Sequence, residues 1–169
     1  LTVSATMGGR TKWIRDALRF FSPVGLGGGR MFNVERAAEW HGINCRFGMR
    51  GVVQAAHYDS KRNFIAMVRG AKRYVIQPPS ACDALELLHP GHPSSRHASF
   101  DWADAAERAA RARAPFCASD ATELVLRAGE VLYLPSYWFH YIVSLSYSAQ
   151  CTARSGTSPR YDGLDEIAR

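Results

Sequence analysis

The chain has 169 residues, of which 47% are hydrophobic and 21% charged, and a formal net charge of +6. That composition excludes a disordered or fibrous chain, and no apolar run approaches the roughly 18 residues that span a bilayer. The basic excess does not by itself point to nucleic acid. Its 18 arginines against 3 lysines are scattered, and the densest group, Arg108, Arg111 and Arg113, reads as one solvated helix face.

The first forty residues read as helical and irregular. Lys12 to Phe21 spaces Trp13, Ile14, Ala17, Leu18 and Phe21 at helical intervals and stops before Pro23. Asn33 can cap a short helix from Val34 to Trp40. From Asn44 the period turns to two, which predicts strands over Cys45–Arg50, Val52–Tyr58, Phe64–Arg69 and Arg73–Gln77. Gly51, the segment 59–63 and Gly70 punctuate them. After Pro78-Pro79, a helix is expected over Ser80–Leu88 and a Pro/Gly loop over His89–Ser95. A helix capped by Asp101 should then run to about Arg113, stopped by Pro115. A second strand set follows over Glu123–Arg127, Val131–Leu134, Phe139–Leu145 and Tyr147–Ala153. Two strand sets split by a helical insert predict a mainly β jelly roll. The four cysteines, Cys45, Cys82, Cys117 and Cys151, lie far apart without a C-x-x-C pair, and reduced, mostly buried thiols are expected. The sequence opens on Leu1 without a signal pattern, and a cytoplasmic or nuclear location is expected.

The chemistry centres on His57, Asp59 and His140. Positions i and i+2 of a persisting strand leave the same face, about 6.7 Å apart, so His57 and Asp59 can converge on one ion. A rolled double sheet can bring His140 opposite them. Two histidines and one carboxylate on one side of an ion form the ligand set of non-haem Fe(II) oxygenases. H-x-D alone is weak, since chance yields about 0.3 such motifs in a chain of this composition. His41, His89, His92 and His97 read as core or surface residues. Lys72 opens an apolar strand, where position alone allows either a solvent-facing lysine or a cation reaching into the barrel. Gly25 to Arg30 breaks G-x-G-x-x-G, no G-x-S-x-G occurs, and the cysteine spacings do not fit zinc.

Taken in order, His57-Tyr58-Asp59, Asn63-Phe64, Gly70-Ala71-Lys72-Arg73, Pro78-Pro79, Ala128 to Pro135 and Trp138-Phe139-His140 resemble the JmjC hydroxylases. These are the cupin-like 2-oxoglutarate oxygenases that include the asparaginyl hydroxylase of hypoxia-inducible factor. The likeness covers about residues 44–155. It implies a double-stranded β-helix of about eight strands with flanking helices. The helical, irregular segment 1–43 would pack on the barrel 44–155, with an insert at about 80–115 and a tail over 156–169. The resemblance further implies Fe(II) on His57, Asp59 and His140, and Lys72 on the distal carboxylate of 2-oxoglutarate. Asn63 would line the cosubstrate pocket. Gln54 stands where relatives often place a threonine, and Thr152 where they show Asn or Ser; both can still donate hydrogen bonds to the cosubstrate. Ala153-Arg154-Ser155-Gly156 replaces an aromatic pair.

The implied activity is a dioxygenase that uses O2 and 2-oxoglutarate to hydroxylate a protein or peptide side chain, giving succinate and CO2. The alternatives are a non-catalytic cupin-like binding module, or an oxygenase acting on RNA or N-methyl groups. A protein or peptide partner is expected. Nucleic acid is permitted by charge but unsupported by any aromatic–basic stripe, no membrane partner is expected, and the oligomeric state is open.

Overall fold

Period two becomes strands in the computed structural model, which describes residues 2–3, 43–81, 85–99, 101, 104–111 and 121–155. In chain order these are β1 (Thr2–Val3), β2 (Ile43–Gly48), β3 (Val53–Tyr58), β4 (Arg62–Arg69) and β5 (Ala71–Gln77). Then follow β6 (Thr122–Arg127), β7 (Val131–Leu134), β8 (Phe139–Ser144) and β9 (Ser148–Ser155). They form two antiparallel sheets, ordered β1-β2-β9-β4-β7 and β3-β8-β5-β6. From β2 to β9, consecutive strands alternate between the sheets except at β5–β6, which is the winding of a double-stranded β-helix. The mainly β, cupin-like architecture read from the sequence is the one found. The expected helices at 12–21 and 34–40, and the tail, lie outside the described residues.

Two apolar clusters hold the barrel. Ile65, Met67, Tyr74, Ile76, Leu126, Leu134 and Ile142 pack together between the sheets. Alternation along β8 sends Phe139 and Tyr141 to the opposite face, where they meet Ala56, Tyr58, Leu85 and Ala98. The segment between β5 and β6 thus roofs the second sheet, and β8 is buried on both faces. One turn demands glycine. Gly70 joins β4 to β5 at φ +75°, and a Cβ there would strike the Tyr147 carbonyl oxygen.

Three expectations need correction. The helix expected over Ser80–Leu88 stops early: a 3-10 turn spans Pro79–Ala81, residues 82–84 lie outside the described residues, Leu85 is helical, and Glu86 takes a positive φ of 45° before Leu87 bridges Ala98. Leu85 is buried in the cluster with Phe139 and Tyr141, and beyond it the chain is held by the Leu87–Ala98 bridge rather than by a continued helix. The later helix, α1 (Ala105–Arg111), is capped by Asp104 rather than Asp101. The Asp104 Oδ1 accepts from the amides of Ala106 and Glu107 at 2.7 and 3.0 Å. No helix among the described residues is long and apolar enough to cross a membrane.

The third correction concerns the thiols. Cys45 and Cys151 are direct cross-strand partners on β2 and β9, with Cα atoms 4.0 Å apart, and they form a disulfide. Their sequence separation of 106 hides the adjacency that the ladder creates. Cys82 and Cys117 lie outside the described residues.

Candidate metal centre

A bulge in β3 shapes the site. Gln54 pairs with Ile142 and His57 with His140, so three steps on β3 match two on β8. The extra residue brings His57 to the same face as Gln54, which regular alternation would forbid. His57 and His140 therefore stand side by side in the interior, ring centroids 4.1 Å apart. The strand ends at Tyr58, one residue before Asp59. Asp59 is fixed instead by its carbonyl, which accepts the Tyr137 amide at 2.7 Å in the turn leading to β8. Ligand atoms of His57, Asp59 and His140 all lie within 4.8 Å of one another, and all three residues are buried.

Backbone carbonyls orient the imidazoles. His57 Nδ1 lies 2.8 Å from the Ala55 carbonyl oxygen, and His140 Nδ1 lies 3.1 Å from that of Trp138. A carbonyl only accepts, so each Nδ1 carries the proton and each Nε2 keeps its lone pair. Burial and the neighbouring His140 push the His57 pKa down to about 3. Burial also lowers His140, so both rings are neutral at pH 7. The rings are thus in the protonation state a metal requires. The Gln54 amide nitrogen sits 3.2 Å from His57 Nε2, and His97 stacks on His57 at 4.8 Å.

Asp59 is ringed by donors. Its Oδ2 accepts from Asn63 Nδ2 at 3.2 Å and Arg154 Nη2 at 2.9 Å, and its Oδ1 accepts from Arg96 Nη1 at 3.2 Å. Burial alone would raise this carboxyl, but Arg154, His140, His57 and Arg96 outweigh it and hold the pKa below the ordinary value. Arg154 also donates through Nε to Asn63 Oδ1 at 3.1 Å. Two Nε2 lone pairs and one ionised carboxylate form a donor set that could hold a divalent ion such as Fe(II), with part of its coordination sphere left open.

The other sequence-derived residues divide between this cluster and a cavity beyond it. Lys72, Tyr74 and Ile76 are buried on the inner face of β5. Ile76 pairs with His140 and Lys72 with Ser144, a separation of about 13 Å along the sheet. Lys72 and Gln54 line a cavity of about 260 Å3 together with Arg46, Phe47, Gly48, Val52, Val53, Ile142 and Ser144. Asn63 is not part of that lining; its Nδ2 donates to Asp59 Oδ2. Thr152, on β9 between Gln150 and Arg154, is buried, and its Oγ1 has no hydrogen-bond partner among the described residues. Sequence reasoning assigned no role to Arg46, Arg96 or Arg154. Arg46 alternates with Cys45 and Phe47 on a predicted strand, which was a usable signal. Arg96 reaches Asp59 from a loop, where no period exists to place it.

Comparison with known proteins agrees with this geometry. A family model described as a cupin-like domain matches residues 30–155. JmjC domain-containing protein D of Dictyostelium discoideum is 34% identical over 107 residues, which cover 63% of this chain and 23% of that protein. Lysine-specific demethylase 8 of Xenopus tropicalis is 32% identical over 106 residues, 63% of this chain and 23% of the relative. A tRNA wybutosine-synthesizing protein 5 of Danio rerio is 30% identical over 122 residues, 71% of this chain and 35% of the relative. The chain thus spans about a quarter to a third of the length of these curated relatives. The match across 30–155, with these relatives and this fold, establishes that the chain belongs to the cupin-like JmjC family.

Proposed function

We propose that this domain is an Fe(II)- and 2-oxoglutarate-dependent oxygenase that hydroxylates a protein or peptide side chain. The observation that carries the reading is the pair of imidazoles, each pinned through Nδ1 so that its Nε2 lone pair meets Asp59 in one buried site. His57, Asp59 and His140 would hold the metal. Fe(II), with 2-oxoglutarate and O2, supplies the oxidation, releasing succinate and CO2 as one oxygen atom enters a C–H bond.

The chain's own residues bind and orient. Lys72 would receive the distal carboxylate of the cosubstrate, since a buried ammonium is costly until an anion meets it. Gln54, at the boundary between the cavity and His57, has an amide to offer the same ligand. The Thr152 hydroxyl, buried without a partner, offers another. Asn63 and Arg154 keep Asp59 ionised and aimed.

Succinate release in the presence of Fe(II), 2-oxoglutarate and candidate peptides tests the reading, with mass spectrometry for one added oxygen. Replacing His57, Asp59 or His140 with Ala should reduce turnover by at least about 100-fold while the fold persists, because a metal ligand acts on every turnover. Turnover unaffected by all three changes, or its absence from the wild type, would leave only a binding module. The names of the demethylase and tRNA relatives favour a second reading, in which a methylated lysine or an RNA base is the substrate. The same assay with those substrates separates the two.

A further inference from the structure

Arg46 has no task in the reading above, yet its half-buried side chain lines the cavity beside Lys72. It stands opposite Gln150 in the β2–β9 ladder, and Gln150 faces inward to accept the Tyr74 hydroxyl at 2.8 Å. Cross-strand partners share a face, so Arg46 also points inward. It lines the 260 Å3 cavity with Lys72, and no Asp or Glu among the described residues joins them there. Among the described residues no carboxylate lies within ion-pair distance of either cation.

The two cations oppose each other electrostatically. Burial lowers the Arg46 pKa, and burial together with Arg46 lowers that of Lys72 to about 8. Holding two like charges on one small cavity is unfavourable unless an anion is shared between them. An ammonium offers a point charge and a guanidinium a planar fork, so together they can engage both oxygens of one carboxylate. At about 260 Å3 the cavity is close to the lower end of the usual range of about 300–1,000 Å3 for ligand pockets, a size that suits a metabolite-sized anion. Ser144 and Gln54 add neutral polar groups to the lining.

We infer that Arg46 is a second anchor for the distal carboxylate of a small 2-oxo dicarboxylate. With Lys72 it forms a two-pronged grip that makes the site select dicarboxylates over 2-oxo monocarboxylates. The inference rests on the proposed use of 2-oxoglutarate and extends it to a specificity-determining residue.

Calorimetric titration of the protein loaded with Mn(II), which is redox-silent here, tests it without turnover. The ligands are 2-oxoglutarate and 2-oxobutanoate, which keeps the metal-chelating end but lacks the distal carboxylate. Wild type should prefer 2-oxoglutarate, and Arg46→Gln should weaken that acid by roughly 30-fold or more, as for loss of one partner in a buried charge pair. Its 2-oxobutanoate affinity should stay within about threefold of wild type, because the metal end is untouched. Arg46→Met keeps the apolar stem without the buried charge and should behave alike, at a thermal stability no lower than wild type. An unchanged ratio of the two affinities in either variant overturns the inference. If Lys72→Ala loses 2-oxoglutarate while both Arg46 variants keep it, Arg46 alone is wrongly assigned. If wild type binds neither acid, or both equally, the 2-oxoglutarate reading falls and this inference with it.

Discussion

At one end of the barrel interior, Asp59 meets Asn63, Arg154 and Arg96, so its charge is matched within the protein. At the other end, Arg46 and Lys72 share a cavity with no acidic side chain among the described residues. Both ends are buried, so desolvation acts on each, but only the first is neutralised by neighbours. The difference separates two uses of buried charge. A matched carboxylate stays ionised and stationary, which suits a ligand for a metal; unmatched cations create affinity for an anion that arrives from outside.

The sharpest way to test that contrast is Lys72→Ala. It should weaken 2-oxoglutarate binding by about 2–5 kcal/mol while Mn(II) affinity, measured without cosubstrate, hardly changes. An equal loss in both would mean that the two ends are not independent. Next comes the wall that carries Arg46. Replacing Cys45 and Cys151 with Ser removes a cross-link closing 106 residues and should cost about 4 kcal/mol in urea denaturation. Hydrogen exchange should then rise in β2 before β3 and β8, which carry the metal end.

The pH dependence of binding is a smaller effect with a definite sign. Below about 8 Lys72 is already protonated, and a dianion binds without proton uptake. Above that value binding must take up a proton, so affinity should fall, approaching tenfold per pH unit. The effect should vanish in Lys72→Ala. The smallest change is expected next door. Arg73 points outward to an ion pair with Glu123 at 2.7 Å, in water, and Arg73→Gln should leave cosubstrate affinity unchanged and stability barely altered.

The sequence made the barrel legible because short β-rich runs, punctuated by turn residues, survive as strands, as the alternation of β5 shows most clearly. Even so, it could not show the bulge. Gln54 and His57 are three apart, so strict alternation would place them on opposite faces, and only the β3–β8 register reveals that they share one. Lys72 stood at a readable inward position beside Tyr74 and Ile76, although the sequence alone left its direction open. Arg154 was visible as a departure from the family pattern, but its reach to Asp59 depends on pairing β9 with Asn63 of β4. The disulfide was hidden for the same reason: cross-strand proximity is created by the ladder, and chain spacing carries no trace of it.

Four cations, Arg46 and Lys72 at one end and Arg96 and Arg154 beside Asp59 at the other, face one buried carboxylate among the described residues in and around this interior. On the proposed reading, a divalent metal ion entering alone would add positive charge to a region already in excess. A dicarboxylate entering with it cancels that addition, so the pair loads without changing the net charge. Their affinities are therefore linked, and each strengthens the other by the same factor. The domain should retain its metal best when the dicarboxylate is abundant, which makes metal occupancy itself a readout of metabolite supply.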